Sequence, residues 1–389
     1  MPRFVVLDSW RGLSACLVAL YHLHYLDVYS NLYEVPLLQN SWQCVDFFFV
    51  LSGFVIAANY QQRLLQGFGA WRFLVLRLGR LYPLHFVMLA VAIALKLLLS
   101  LAPAWSSITE AGSAPFSTPE EAPDTILANL LLIHALHLYD FLTWNAQSWS
   151  ISTEFYTYVV FAACLVGFRG HAWIALPIAM IGGPILLAML SRQNLATDVE
   201  WGIIRCLYGF AAGVLVWNIY GRWHERLKPW LSGSIPEWCA IAFMLAFMSL
   251  SGKTFLSLAA PYVFGLVVLV FAFETGTASA ILRLRPLVFL GTVSYSIYMT
   301  HVFIARRLLD VGRALDKWGL KLLTQGEIDG EQGYLLGTQL WHGDIFYLVY
   351  VAIVVAVSYF TYHWIEKPAR DWVRNRIQAR QRRVALHAS

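Results

Sequence analysis

Two residues in the first apolar stretch, Arg11 and His22 in RGLSACLVALYH, combine residue types and a spacing that suit chemistry. Eleven positions at 3.6 residues per turn return to nearly the same helix face, about 16 Å further along the axis. In a membrane-spanning helix this sets a guanidinium near one surface and a titratable imidazole deep inside. Ionisable groups in lipid are costly, so such a pair points to function. The competing reading is an Arg that extends to the interface and a His packed in the core.

Further polar residues lie in or beside apolar runs and fall into two sets. Toward one end lie His22, Asp46, Glu154, Arg205 and His301; toward the other lie Asp8, Arg11, Arg77, Arg80, Glu366, Lys367 and Arg370. The first set has the ingredients of acid–base chemistry. A neutral His takes a proton from a hydroxyl, and a carboxylate, here Asp46 or Glu154, orients its ring and stabilises the imidazolium. Against this, Asp46 also suits the positive end of a helix dipole. Glu154, in SWSISTE, also suits a capping interaction with Ser150 or Ser152. His301, in SYSIYMTH, reads as an interfacial, substrate-contacting residue rather than the catalyst. Arg205 reads as neutralising an outer carboxylate or contacting an anionic acceptor. In the second set Arg77 and Arg80 are three apart, so on a helix they project together and can share a phosphate. Orientation alone would also place arginines at that edge.

The elements that must position these residues are membrane helices. The chain is 59% hydrophobic and 13% charged, against about 25% charged for an ordinary soluble domain. With mean hydropathy +0.58 and repeated apolar runs of about 20 residues, the expected fold is an all-α, polytopic transmembrane bundle. Ten spans are expected, near 4–26, 43–60, 81–102, 149–168, 171–190, 199–220, 237–251, 254–274, 287–305 and 344–365. The basic segments 61–80, 221–236, 275–286 and the tail (Arg374, Arg376, Arg380, Arg382, Arg383) belong on the cytoplasmic side, and acidic 103–125 outside. These assignments agree only if 126–143, ILANLLLIHALHLYDFLT, is re-entrant or non-crossing. Both termini are then cytoplasmic, and 103–125 and 306–343 are long external connections. No secretory leader is expected at the N-terminus. The domain division is 1–366, embedded, and 367–389, a basic helical cytoplasmic tail.

Several signals are missing. There is no phosphate loop, no nucleophile elbow and no metal-ligand spacing, so no metal is expected. Cys16, Cys44, Cys164, Cys206 and Cys239 are scattered and read as packing residues. The net charge of +5 reports on topology, not on nucleic acid. Ser52 and Gly53, in LSGF, suit close helix packing.

The stretch LDSWRGLSACLVALYH resembles the opening signature of the acyltransferase 3 family of membrane acyltransferases. VDFFFVLSGFVI at 45–56, FLVLRLGRLYP at 73–83, SWSISTEFY at 148–156, LGTVSYSIYMTH at 290–301 and YHWIEKPAR at 362–370 extend the resemblance over nearly the whole chain. It implies transfer of an acyl group, usually acetyl, from acyl-CoA to a hydroxyl of a carbohydrate or related acceptor, in a multi-pass protein of a bacterial inner membrane. By resemblance Arg11 and His22 are essential for transfer, and Arg77 and Arg80 are the paired arginines before Tyr-Pro. The family's acidic residue falls on Glu154; Phe155 follows it where the family often has a second carboxylate. No hydrolase-like domain follows the bundle, as in stand-alone members. Acyl-CoA is expected at Arg11, Arg77 and Arg80, with His22, Asp46 and Glu154 catalytic and His301 and Arg205 near the acceptor. Its runner-up is a proton-coupled secondary transporter, since intramembrane His, Asp and Glu also build proton relays; no paired halves of the inverted-repeat kind support it.

Overall fold

The computed structural model describes residues 3–24, 28–101, 116–168, 174–320, 323–328, 331–337 and 339–387. The principal helices, in chain order, are α1 (Val5–His24), α2 (Ser41–Leu65), α3 (Ala70–Ser100), the short α4 (Pro123–Leu130), α5 (Ala146–Gly167), α6 (Ala175–Leu190), α7 (Gly202–Leu231), α8 (Ser234–Ser251), α9 (Phe255–Phe271), α10 (Arg285–Lys317) and α11 (Leu340–Ala379). Seven of them, α2, α3, α5, α7, α8, α10 and α11, are long and apolar enough to cross a membrane. The remaining three expected spans coincide with α1, which carries Asp8 and Arg11, and with the shorter apolar helices α6 and α9. At 20 residues, α1 is about 30 Å long, the thickness of a hydrocarbon core.

The segment 126–143 forms no long helix. Helix α4 has eight residues, about 12 Å, and the chain then turns through irregular backbone to residue 146. That backbone is buried in protein: Ala135 N–H donates to Ser152 Oγ at 3.3 Å, and Asn129 Nδ2 donates to Thr143 Oγ1 at 2.8 Å. Irregular backbone at membrane depth survives only with such internal partners.

Two expectations need correction. The all-α reading holds for the bundle, but 306–343 is not a plain loop. Helix α10 runs on to Lys317, and a hairpin follows, β2 (Leu323–Ile328) antiparallel to β3 (Glu331–Leu336), with β1 (Val28–Tyr29) parallel to β3. Beyond the apolar run α10 becomes amphipathic and Asp310 joins Arg307 and Arg313, so polarity there reflects a one-sided helix rather than its end. The tail is helical, as expected, but continuous with α11 through a wide turn at Tyr362–Glu366. It packs on α3, where Val373 fills the space a Cβ on Gly79 would need.

Two glycine contacts set the bundle's centre. Gly12 of α1 and Gly291 of α10 lie backbone against backbone; a Cβ on Gly12 would strike Gly291 N, and one on Gly291 would strike Asp8 O. Gly53 of α2 meets Phe210 O of α7, and Gly213 meets Val50 O. Small residues allow this approach, and dispersion between the closely spaced helices then stabilises it. The expectation for Gly53 is met.

Candidate active site

The near-coincidence of Arg11 and His22 on one face of α1 is realised against α10. Arg11 Nε donates to Ser294 Oγ at 2.9 Å, and its Nη2 donates to Gly291 O at 3.2 Å and to Asp8 Oδ1 at 3.3 Å. Eleven residues on, His22 Nδ1 lies 2.8 Å from Val18 O and 3.2 Å from His301 Nε2. The two imidazoles meet edge to face, ring centres 4.7 Å apart. As both sequences ascend together from 11 to 22 and from 291 to 301, α1 and α10 run parallel.

Carbonyl oxygens only accept, so the partners assign the ring hydrogens. His301 Nδ1–H donates to Tyr298 O at 2.7 Å. His22 Nδ1–H is shared between Val18 O and His301 Nε2. Each neutral ring therefore keeps its lone pair on Nε2. His301 is fully buried, and Tyr350 Oη donates to its carbonyl at 3.1 Å. The sequence reading had put His301 at the interface; it sits against His22 instead, because its helix continues four more turns beyond it.

His22 borders a cavity of about 390 Å³ whose walls include Tyr298, Gln147, Trp149, Arg205, Arg306 and Lys253. A second cavity, about 90 Å³, is lined by Arg11, Arg80, Glu154, Ser52, Tyr158 and Ser294. Val45 and Tyr298 border both. Tyr298 Oη donates to Gln147 O at 3.1 Å and lies 2.7 Å from Ser150 Oγ, so its ring is pinned as a partition.

Neither expected carboxylate reaches His22. Asp46 accepts Arg205 Nε on Oδ1 at 2.8 Å and Nη2 on Oδ2 at 2.7 Å. Arg205 also donates to Thr197 O at 2.8 Å, and its guanidinium lies between Trp42 and Trp149, 5.1 and 5.3 Å from their ring centres. A fully buried carboxylate needs a counter-charge, and a planar fork-to-fork pair supplies it. Asp46 is thereby paired with Arg205, as the reading of Arg205 as neutralising an outer carboxylate expects, and Arg205 also lines the cavity beside His22. Glu154 accepts the Tyr158 hydroxyl at 2.5 Å, and Ser52 Oγ, 2.8 Å from the same hydroxyl, donates to it in turn. Capping by Ser150 or Ser152 is not how Glu154 is used: Ser152 donates to Leu132 O and Ser150 bonds Tyr298.

Arg77 and Arg80 part company. Three residues advance a helix by 300°, leaving the two side chains about 60° apart. Arg77 donates to Tyr60 Oη at 3.1 Å and lies over that ring at 4.9 Å, while Arg80 lines the smaller cavity. Arg80 makes no hydrogen bond or ion pair among the described residues, so the guanidinium facing Glu154 and Arg11 has donors to offer. Glu366, brought inward at the wide turn, accepts Ser296 Oγ at 3.0 Å; such turns recur at functional sites.

Ser294 and Tyr298 escaped the sequence reading although the signal was present. Positions 294, 298 and 301 are i, i+4 and i+7, one face of α10. Arg306 and Lys253 lie just past the ends of apolar runs, where a charge is ordinary and carries no signal in the sequence.

A curated protein of Rhizobium radiobacter named protein 2 in picA locus is 38% identical over 93 residues, 24% of this chain. The chain spans 45% of the length of that relative. No solved structure matches. A family model described as an acyltransferase domain matches residues 4–367. This membrane protein belongs to the acyltransferase 3 family.

Proposed function

We propose that the protein moves an acyl group, acetyl in the first instance, from acyl-CoA to a hydroxyl of a carbohydrate or related acceptor, with His22 as the base. The observation that carries this reading is the His22–His301 pair on the wall of a cavity adjoining a second one lined by Arg11 and Arg80. Arg80 offers an unpaired guanidinium to an anionic donor, and a cavity of about 90 Å³ suits a small acyl group. The basic end of the bundle would face the cytoplasm, with both termini there and ten crossings, and the wider cavity would open to the opposite side of a plasma membrane.

His22 Nε2 would take the proton of the acceptor hydroxyl as its oxygen bonds to the thioester carbonyl carbon. Collapse of that adduct breaks the C–S bond, and the imidazolium returns its proton to the departing thiolate. His301 accepts from His22 Nδ1–H and so holds the ring with Nε2 turned away from α10. Buried donors near the developing oxyanion stabilise it more than water would.

The test is incubation of purified protein in nanodiscs with radiolabelled acetyl-CoA and candidate glycans. Label on the glycan, lost in His22→Ala, supports the proposal. Uptake of solute into vesicles without modification would replace it with the transporter reading.

A further inference from the structure

The wider cavity carries charge that acyl transfer to a neutral sugar does not require. Arg205 already spends four of its five N–H donors on Asp46, Thr197 and Trp42. Arg306 of α10 and Lys253, just after α8, stand exposed at the cavity's mouth. Neither side chain makes a hydrogen bond or ion pair among the described residues; the Lys253 carbonyl accepts from Asn194 Nδ2 at 3.0 Å. Their neighbour Arg307, by contrast, meets Asp310 at 2.6 Å. Asp198 is the carboxylate among the lining residues, and its Oδ1 already accepts Val199 N–H at 2.7 Å. Arg306 also borders an adjoining pocket of about 220 Å³ with Arg307 and the ion-paired Lys96 and Glu121, so a charged group has room beside it. Orientation gives no reason for these cations, because the topogenic arginines, such as Arg63, Arg72, Arg283 and Arg285, occupy the other end of the bundle.

We infer that Arg306 and Lys253 bind a negatively charged group on the acceptor. The substrate class is then a hydroxyl compound bearing a carboxylate or phosphate, held so that its hydroxyl reaches His22. This inference rests on the acyl-transfer reading for its second half only; anion binding at the mouth stands by itself.

The experiment titrates the purified protein in nanodiscs at low salt with methyl glucoside, glucuronate and glucose 1-phosphate, reading heat stability. The expected result is that at least one anion binds about three- to tenfold more tightly than the glucoside, the range two exposed ion pairs supply. R306A with K253A should erase that preference and leave acetyl-CoA binding unchanged. Both positions are exposed, so the variant folds. Equal binding of all three sugars, or no binding of either anion, overturns the inference. A weakened acetyl-CoA affinity in the variant also overturns it, by giving the cations to the donor. His22-dependent acetyl transfer, assayed in parallel on the unmodified protein, reports on the reaction itself.

Discussion

Two buried polar pairs cross the same end of the bundle, and they are built on opposite plans. Asp46 and Arg205 are a closed ion pair: opposite charges meet at 2.7 and 2.8 Å, and two further guanidinium donors find the carbonyls of Thr197 and Trp42. His22 and His301 are two like groups 3.2 Å apart, with backbone carbonyls on both Nδ1 atoms. Among the described residues no opposite charge bridges that contact, and with the His301 Nε2 lone pair accepting from His22 Nδ1–H, the unprotonated nitrogen outside that contact is His22 Nε2. An ion pair of this kind fixes helices; on the proposed reading the imidazole pair supplies the base. Sequence alone offered Asp46 or Glu154 as the partner of His22, since all three fall toward the same end of the bundle in the sequence reading, and depth says nothing about azimuth.

That contrast can be broken most forcefully at Asp46. Asp46→Ala leaves Arg205 buried without its counter-charge, and stability should fall by about 3–5 kcal/mol. Replacing both, Asp46→Leu with Arg205→Met, should recover most of the loss in a denaturation series. Failure of the double variant to recover would mean that the pair does more than satisfy itself.

Gly291→Ala comes next. Its methyl group would press on the Asp8 carbonyl, parting α1 from α10 and with them both Arg11–Ser294 and His22–His301. A loss of about 1–3 kcal/mol is expected, together with reduced transfer. Unchanged transfer would show that the imidazole contact tolerates a wider helix spacing.

A comparison of Arg80→Ala with Arg77→Ala sharpens the account at the other cavity. The first should raise KM for acyl-CoA roughly tenfold, as loss of a charge-assisted contact predicts. The second removes a guanidinium that rests on Tyr60 and should leave KM within about twofold. The reverse ranking would restore the reading in which the pair clamps a phosphate together.

Tyr158→Phe is the mildest change. It deletes one hydroxyl between Glu154 and Ser52, and stability should shift by about 0.5–1.5 kcal/mol.

What the sequence disclosed followed from helical period and membrane physics. The Arg11–His22 alignment, the close approach at Gly53 and the lack of a long helix over 126–143 follow from 3.6-residue geometry and the exclusion of charge from lipid; the sorting of polar residues to two ends fails at Glu154, which lines the cavity of Arg11 and Arg80 instead of the one beside His22. What stayed hidden was partner choice over distance. His22 and His301 are 279 positions apart, and Asp46 and Arg205 are 159 apart; no local pattern encodes which helices become neighbours. The β2–β3 hairpin was missed for a different reason. Its strands include Gly326 and Gly333 opposite one another and lack the alternation that marks a half-buried strand.

The decisive measurement is single-turnover acetyl transfer by His22→Ala and by Asp46→Leu with Arg205→Met, each normalised to folded protein. Transfer should drop by about 10²–10⁴-fold in the first, the usual contribution of a general base, and stay within about threefold of the unmodified protein in the second. Near-normal transfer by His22→Ala, or its collapse in the folded double variant, would contradict the division of labour between the two pairs.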